Sequence, residues 1–507
     1  MNNVPQDKCS EKESSPLSIS TQEMPTISIH SSNKPKDYLN LVYFAFLYQG
    51  MALLFPYNAF IFLIDFYQER FCDLHLFYWS MITITILSNA LFCLLTNIIS
   101  DYISVAKRIL TGHICYLISL VFFLIFSILV VEGVFDSLPN SIGYTPLLAG
   151  LITGVGIGIS QPSYYAISSY LPSRYTQALV VGETISGVTS ACFRVATKLM
   201  KPAESCQYYD TLIYISLTLA VMMFSVAVWV FIYYHKYTNY YLEEGNSDMF
   251  TIEYKVLDQE KEEEIDDTGI HQVASGENAL LLTNNNLKWK DKLVCIFVAF
   301  KKYSGRRIAI FKKTCSLQLT LFFNFAITLF LFPTFITAAY KCHARLCDWV
   351  PIITLTVFMS SDFIIRWFSL VRVRCSSLVL LLISLSRVLF IPLICLFIFP
   401  LEQPIINVEY GLPIFLIVVC VFGLTNGYFG SVPLVIIPTK LNGRDRQLGS
   451  SMGIFMLVFA LVAGTFIAFP FNQTVLYKSS NVTTNICCLR NYTSILQNAT
   501  ADGVCMC

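Results

Sequence analysis

Residues 109–131 read ILTGHICYLISLVFFLIFSILVV, a run without Asp, Glu, Lys or Arg, bounded by Lys107 and Arg108 on one side and Glu132 on the other. As a helix it would rise about 35 Å, more than the roughly 30 Å of a bilayer's hydrocarbon core. Lipid offers a backbone no hydrogen bonds, so a run this apolar predicts a transmembrane helix, which satisfies its own amides and carbonyls. Working outward, similar runs lie near 39–64 and 76–98 before it, and near 144–170, 177–199 and 212–234 after it. A long polar interruption follows and holds the acidic run 259–267. Five more runs come near 317–340, 349–371, 377–399, 412–435 and 448–469. The expected architecture is all-α and polytopic, with eleven transmembrane helices in a six-plus-five arrangement.

The 507 residues are 55% hydrophobic and 13% charged, and the mean hydropathy is +0.60. Soluble globular chains carry about a quarter charged residues, so this balance belongs to the membrane class. A net charge of +1 offers no basic excess for nucleic acid as a partner. The first 38 residues are rich in Ser, Pro and charge and lack the apolar core of a signal peptide. The expected division is a disordered cytosolic tail over 1–38, helices 1–6 over 39–234 and a cytosolic loop over 235–316. Helices 7–11 follow over 317–470, then an extracellular glycosylated tail over 471–507.

Orientation follows from Lys and Arg in the short loops, which collect on the cytosolic side. Lys107, Arg108, Arg174, Arg372, Arg374, Lys440, Arg444 and Arg446 fall in loops of one side, and the central loop adds Lys301, Lys302, Arg306, Arg307, Lys312 and Lys313. The opposite loops 132–143 and 401–409 hold none, while Lys198, Lys201, Lys341 and Arg345 run against the trend. The balance places the N-terminus inside, and an odd number of spans then places the C-terminus outside. Four glycosylation sequons begin at Asn472, Asn481, Asn491 and Asn498, all beyond the last span, as a luminal tail requires. Cys487, Cys488, Cys505 and Cys507 share that tail, and Cys72, Cys206, Cys342 and Cys347 lie in outer loops. An oxidising face permits disulfides there, with the connectivity open.

The motifs of an ATPase, a metalloprotease or a Cys/His metal site do not occur in the sequence, so neither enzyme activity nor a cofactor is expected. Gly154, Gly156 and Gly158 sit inside a long apolar run without a preceding strand, which points to close helix packing rather than a dinucleotide loop. Charge inside lipid is costly, so ionisable residues within spans mark candidate function. These are Glu183, Arg194, Asp362, Arg366 and Arg387. Asp362 and Arg366 are four apart and share one helical face, either as a structural ion pair or as a polar pair lining a water-filled cavity. Arg387 reads as a structural clamp between helices, and Arg194, near a span end, as a snorkelling side chain. Glu183 has only Leu179 and Gly187 at helical spacing. Either another helix supplies a cation, or the carboxylate meets a cationic solute.

Several stretches resemble the equilibrative nucleoside transporters. Leu54-Phe55-Pro56-Tyr57-Asn58 is similar to that family's Leu-Leu-Pro-Trp-Asn, with Tyr57 in place of Trp. Gln161 followed by Leu171-Pro172-Ser173-Arg174-Tyr175-Thr176, Phe332-Pro333, the Asp362/Arg366 spacing, Arg387 to Pro392 and Asn426-Gly427-Tyr428 also match, in order from about Tyr43 to Phe469. The stretch from Arg174 to Lys198 and that from Asn426 to Pro433 look closest to the plasma membrane monoamine transporter branch. There a glutamate at the position of Glu183 favours organic cations, where nucleoside carriers have glutamine. Arg366 departs toward the nucleoside carriers. The resemblance implies a bundle like the major facilitator fold, with two halves alternating access to a midplane site.

It further implies a facilitative, sodium-independent carrier of organic cations (monoamines) in the plasma membrane. An equilibrative nucleoside transporter for solutes such as adenosine and uridine is the alternative, and a receptor or channel the remote one. The expected partners are a small-molecule substrate and the lipid bilayer. Tyr57, Gln161, Glu183, Phe332, Asp362 and Arg366 are expected to bind substrate, with Asn58, Arg387 and Asn426 in structural roles. The topology carries its own check. Epitopes at the N-terminus and in 259–267 should be reachable only in permeabilised cells, and glycosidase should increase the mobility of protein made in mammalian cells. Unchanged mobility together with surface labelling of the N-terminus would overturn the map.

Overall fold

The computed structural model describes residues 35–63, 66, 77–100, 103–132, 134, 144–200, 209–243, 289–339, 349–370, 376–399, 405–406 and 408–471. The stretch 1–34, the acidic run 259–267, the sequons at Asn472, Asn481, Asn491 and Asn498, and the eight cysteines of outer loops and tail lie outside the described residues.

Long helices dominate: α1 Leu41–Phe62, α2 Phe77–Ile99, α3 Val105–Val131, α4 Leu147–Ser168, α5 Ser173–Leu199 and α6 Tyr209–Tyr234, then α7 Trp289–Leu331, α8 Trp349–Arg366, α9 Ser377–Cys395, α10 Val408–Ile436 and α11 Gly443–Phe471. Among the described residues, ten helices are long and apolar enough to cross a membrane. The helix outside that set is α4, whose 22 residues include Thr153, Gly154, Gly156, Gly158, Ser160, Gln161 and Ser163, all buried. Its small and polar positions face protein, so lipid solubility is not demanded of them.

Two expected boundaries change. Hydropathy predicts a seventh span from 317, whereas α7 starts at Trp289, so the later part of the expected loop is helix. Lys and Arg are good helix formers, and a helix can run on past the bilayer where hydropathy no longer marks it. At its other end Phe332-Pro333 interrupts the helix, and a short one follows at Thr334–Ala338. Within α9 the turn Arg387–Leu389 tightens to a 3-10 helix. Pro392 explains it, because its ring clashes with the carbonyl four residues back.

Helices pair within each half, α1 with α5, α2 and α3 with α4, α7 with α11 and α8 with α10; α5–α8 and α2–α11 cross between halves. The tight pairs meet through glycine. A Cβ on Gly182 would collide with the Leu47 carbonyl of α1, and one on Gly50 with the Leu179 carbonyl of α5. Gly158 does the same for α4, where a Cβ would stand 2.6 Å from the Asn89 carbonyl. The triple-glycine run is therefore a packing stripe, as its sequence context indicated. Arg194 does not snorkel: it is 2% exposed, and its Nη1 lies 2.9 Å from Asp210 Oδ2. Asp210 opens the following span, so only the folded hairpin between α5 and α6 brings the pair together.

Gly182→Ala should lower thermal stability in detergent, because backbone must move apart, at about 1–3 kcal/mol. A matched Gly305→Ala control, where a Cβ meets nothing within 4 Å, should leave the melting temperature unchanged or raised. Equal stability of both variants would contradict the packing account.

Candidate functional site

A cavity opens where the two halves meet. It is lined by Leu54, Tyr57 and Asn58 of α1, Thr85 and Asn89 of α2, Gln161 of α4 and Glu183 and Thr184 of α5 from one side. From the other come Phe325, Thr328 and Phe332 at the end of α7, Phe358, Met359, Asp362 and Arg366 of α8, Asn426 of α10, and Leu457 and Leu461 of α11. All six residues expected to bind substrate therefore line one cavity, although they come from five separate parts of the chain. So do Asn58 and Asn426, expected to be structural.

Part of the wall is apolar. Phe332 stacks on Phe358 with centroids 4.4 Å apart and planes at 24°, and Phe358 leans on Phe422 at 5.6 Å. Such a stack presents a flat face to a flat solute.

The polar network of the wall and the layer behind it has three pieces. Arg366 holds Asp362 through Nε and Nη2, each 3.1 Å from Oδ2, and both residues are buried. Asn426 Nδ2 donates to the other carboxylate oxygen, Oδ1, at 2.8 Å. Arg366 Nη1 also reaches the Val180 carbonyl of α5 at 3.4 Å, so one guanidinium spans the two halves.

Glu183 is the second piece. Its own helix gives it no partner, but Gln161 Nε2 of α4 donates to Oε1 at 2.7 Å. The hydrogen-bonded partner across the helices is thus a neutral amide, while the guanidinium of Arg366 on α8 acts on the carboxylate electrostatically, so another helix does supply a cation. Asn58 supports this corner: its Nδ2 donates to Ser186 Oγ at 2.6 Å, and Ser186 donates to the Glu183 carbonyl. The third piece is Arg387, outside the lining and 2% exposed. It donates to the Asn324 carbonyl at 2.8 Å, to Asn324 Oδ1, to Thr425 Oγ1 at 3.2 Å and to the Phe422 carbonyl at 3.4 Å, with its centre 4.7 Å from the Phe422 ring. These bonds join α9 to α7 and α10.

The sequence reading named Gln161, Asn58 and Asn426 but missed Asn89 and Asn324. Asn89 is 5% exposed, lines the cavity, and its Oδ1 has no hydrogen-bond partner among the described residues. An asparagine in the middle of an apolar run was a legible signal, since a buried amide without a partner is costly. Asn324 is likewise an asparagine within an apolar run, and here Arg387 and Asn426 partner it.

A nucleoside transporter family model matches residues 149–473. Equilibrative nucleoside transporter 4 of Danio rerio is 25% identical over 451 residues, covering 86% of this chain and 84% of that one. Its Homo sapiens counterpart is 24% identical over 458 residues, with 86% and 83% covered. Among solved structures, the major facilitator superfamily proton:xylose symporter XylE superposes with a TM-score of 0.51 at 10% identity, over 91% of this chain and 95% of that one. That likeness shows the fold, a major facilitator bundle. An integral membrane bundle of this kind, matched by the family model over more than half its length, belongs to the nucleoside transporter family.

Proposed function

We propose that the chain is a facilitative carrier of uncharged nucleosides such as adenosine and uridine, working by alternating access between its two halves. The observation that carries this reading is the charge balance around the cavity. Glu183 and Asp362 contribute two formal negative charges, and Arg366 and Arg387 two positive ones. A formally neutral site with amide donors and acceptors beside a stacked aromatic wall suits a flat, uncharged, hydrogen-bonding solute. The names of the relatives support the same class. Such a carrier needs no sodium; the solute gradient drives it. Eleven spans with α4 included, a cytosolic N-terminus and residence in the plasma membrane complete the proposal. Ser451 Oγ to Asn97 Oδ1 at 2.6 Å, Tyr170 to Gln447 Oε1 at 2.8 Å and Gln177 Nε2 to the Trp367 carbonyl at 3.0 Å tie the halves together at one end. That is the end rich in Lys and Arg, so the cavity would face the cell exterior, and these contacts would break for release inside.

A second reading, organic-cation transport, is favoured by Glu183, because its hydrogen-bonded partner is a neutral amide and a bound amine could complete it. Glu183→Gln separates the two. Under the nucleoside reading it leaves saturable adenosine uptake within about threefold, below 1 kcal/mol. Under the cation reading monoamine uptake falls at least about tenfold, or 1.4 kcal/mol. Wild-type protein that carries a monoamine and no adenosine would overturn the proposal.

Asp362→Ala and Arg366→Ala should each abolish uptake while the protein still reaches the surface. Stranding one charge of a buried pair costs about 3–5 kcal/mol, and surface biotinylation separates lost transport from lost folding. Normal uptake by both variants would remove the pair from the site.

A further inference from the structure

Arg387 does not touch the cavity, yet a hydrogen-bond chain runs from it to the cavity's aspartate. Its guanidinium donates to Asn324 Oδ1. Asn324 Nδ2 donates to Asn426 Oδ1 at 3.1 Å, and Asn426 Nδ2 donates to Asp362 Oδ1 at 2.8 Å. The amide orientations follow from the partners. Asn324 Oδ1 takes the guanidinium, so its NH2 faces Asn426, and turning the Asn426 amide would set NH2 against NH2 and oxygen against a carboxylate. Each bond therefore donates in the same sense, from the cation to the anion. Hydrogen bonds aligned in this way polarise one another, most of all in a low-dielectric interior.

Among the described residues no carboxylate contacts Arg387 directly. Its other partners are carbonyls, a hydroxyl and the Phe422 face, all neutral. A buried guanidinium without an adjacent anion is costly unless its charge is matched elsewhere. Asp362, two amides away, is the match that the geometry provides. Asp362 thus receives one cation directly, from Arg366, and a second through the amides.

We propose that Arg387 is a positioning residue that sets substrate specificity: through Asn324 and Asn426 it offsets Asp362 and keeps the cavity formally neutral, which selects uncharged solutes over organic cations. This rests on the nucleoside reading above. Without Arg387 the remaining Glu183, Asp362 and Arg366 sum to one negative charge, and the site becomes one for a cation. A purely structural clamp would have no such effect, because loosening three helices weakens every solute alike.

The test compares uptake of labelled adenosine with that of N-methylquinolinium, a flat permanent cation, in cells whose surface expression is measured. Arg387→Gln is expected to raise the cation-to-adenosine uptake ratio at least about tenfold. Arg387→Lys, which keeps the charge, is expected to hold the ratio near wild type. Asn324→Ala cuts the chain while leaving Arg387 in place and should move the ratio the same way; it carries the test if Arg387→Gln does not reach the surface. Proportional loss of both solutes in Arg387→Gln and Asn324→Ala, with wild type carrying adenosine, overturns the role of the chain and spares the nucleoside reading. Wild type without adenosine uptake, together with a cation KM that tightens in Arg387→Gln, overturns the nucleoside reading and spares the chain.

Discussion

Asp362 is a carboxylate in the interior of a bundle whose outside faces lipid, and much of the surrounding structure is arranged around it. One oxygen takes Arg366 from its own helix, the other takes Asn426 from α10. Each partner recruits another element: Arg366 reaches the Val180 carbonyl on α5, and Asn426 is held by Asn324 and Thr328 of α7. Arg387 of α9 closes the far end on Asn324. Five helices are thereby fixed relative to one anion, because in so apolar a setting a charge or amide left without a partner costs more than the order needed to supply one.

Close packing makes these reaches possible. A Cβ on Gly427 would stand 2.5 Å from the Asp362 carbonyl, so α10 approaches α8 at the point where Asn426 must meet the carboxylate. Gly50 and Gly182 bring α1 and α5 together on the other side, which sets Tyr57 and Glu183 on a shared wall. With little hydrophobic drive between helices in lipid, small residues give the contact area that holds such a bundle. The site is thus a by-product of packing as much as of its own polar bonds.

Much of this was legible in the sequence, for physical reasons that also mark where legibility ends. Span length and hydropathy report the bilayer, so ten helices were visible one by one, and α4 was visible by length despite its polar residues. The start of α7 was not, since a helix in water carries no hydropathy signal. The spacing of Asp362 and Arg366 encodes their pairing within one helix. The Gln161–Glu183, Arg194–Asp210 and Arg387–Asn324 bonds cross between helices, and no spacing along the chain encodes those. The preference for organic cations was expected from Glu183 together with the likeness of residues 174–198 and 426–433 to the monoamine branch, and neither carries the charges that other helices bring to the cavity. With Gln161 beside Glu183 and two arginines matching two carboxylates, the balance of the whole cavity turns the reading toward uncharged solutes.

That balance makes a thermodynamic statement open to direct measurement. Purified protein in potassium-loaded liposomes with valinomycin can be held at an imposed potential, negative inside, while labelled solute is followed to equilibrium. A monovalent cation gains about 2.3 kcal/mol per 100 mV and would accumulate some forty- to fiftyfold, whereas an uncharged solute gains nothing. The account predicts that adenosine equilibrates to equal concentrations inside and out at every potential, at a protein-dependent rate. Exclusion of adenosine alongside potential-driven accumulation of an organic cation would contradict it.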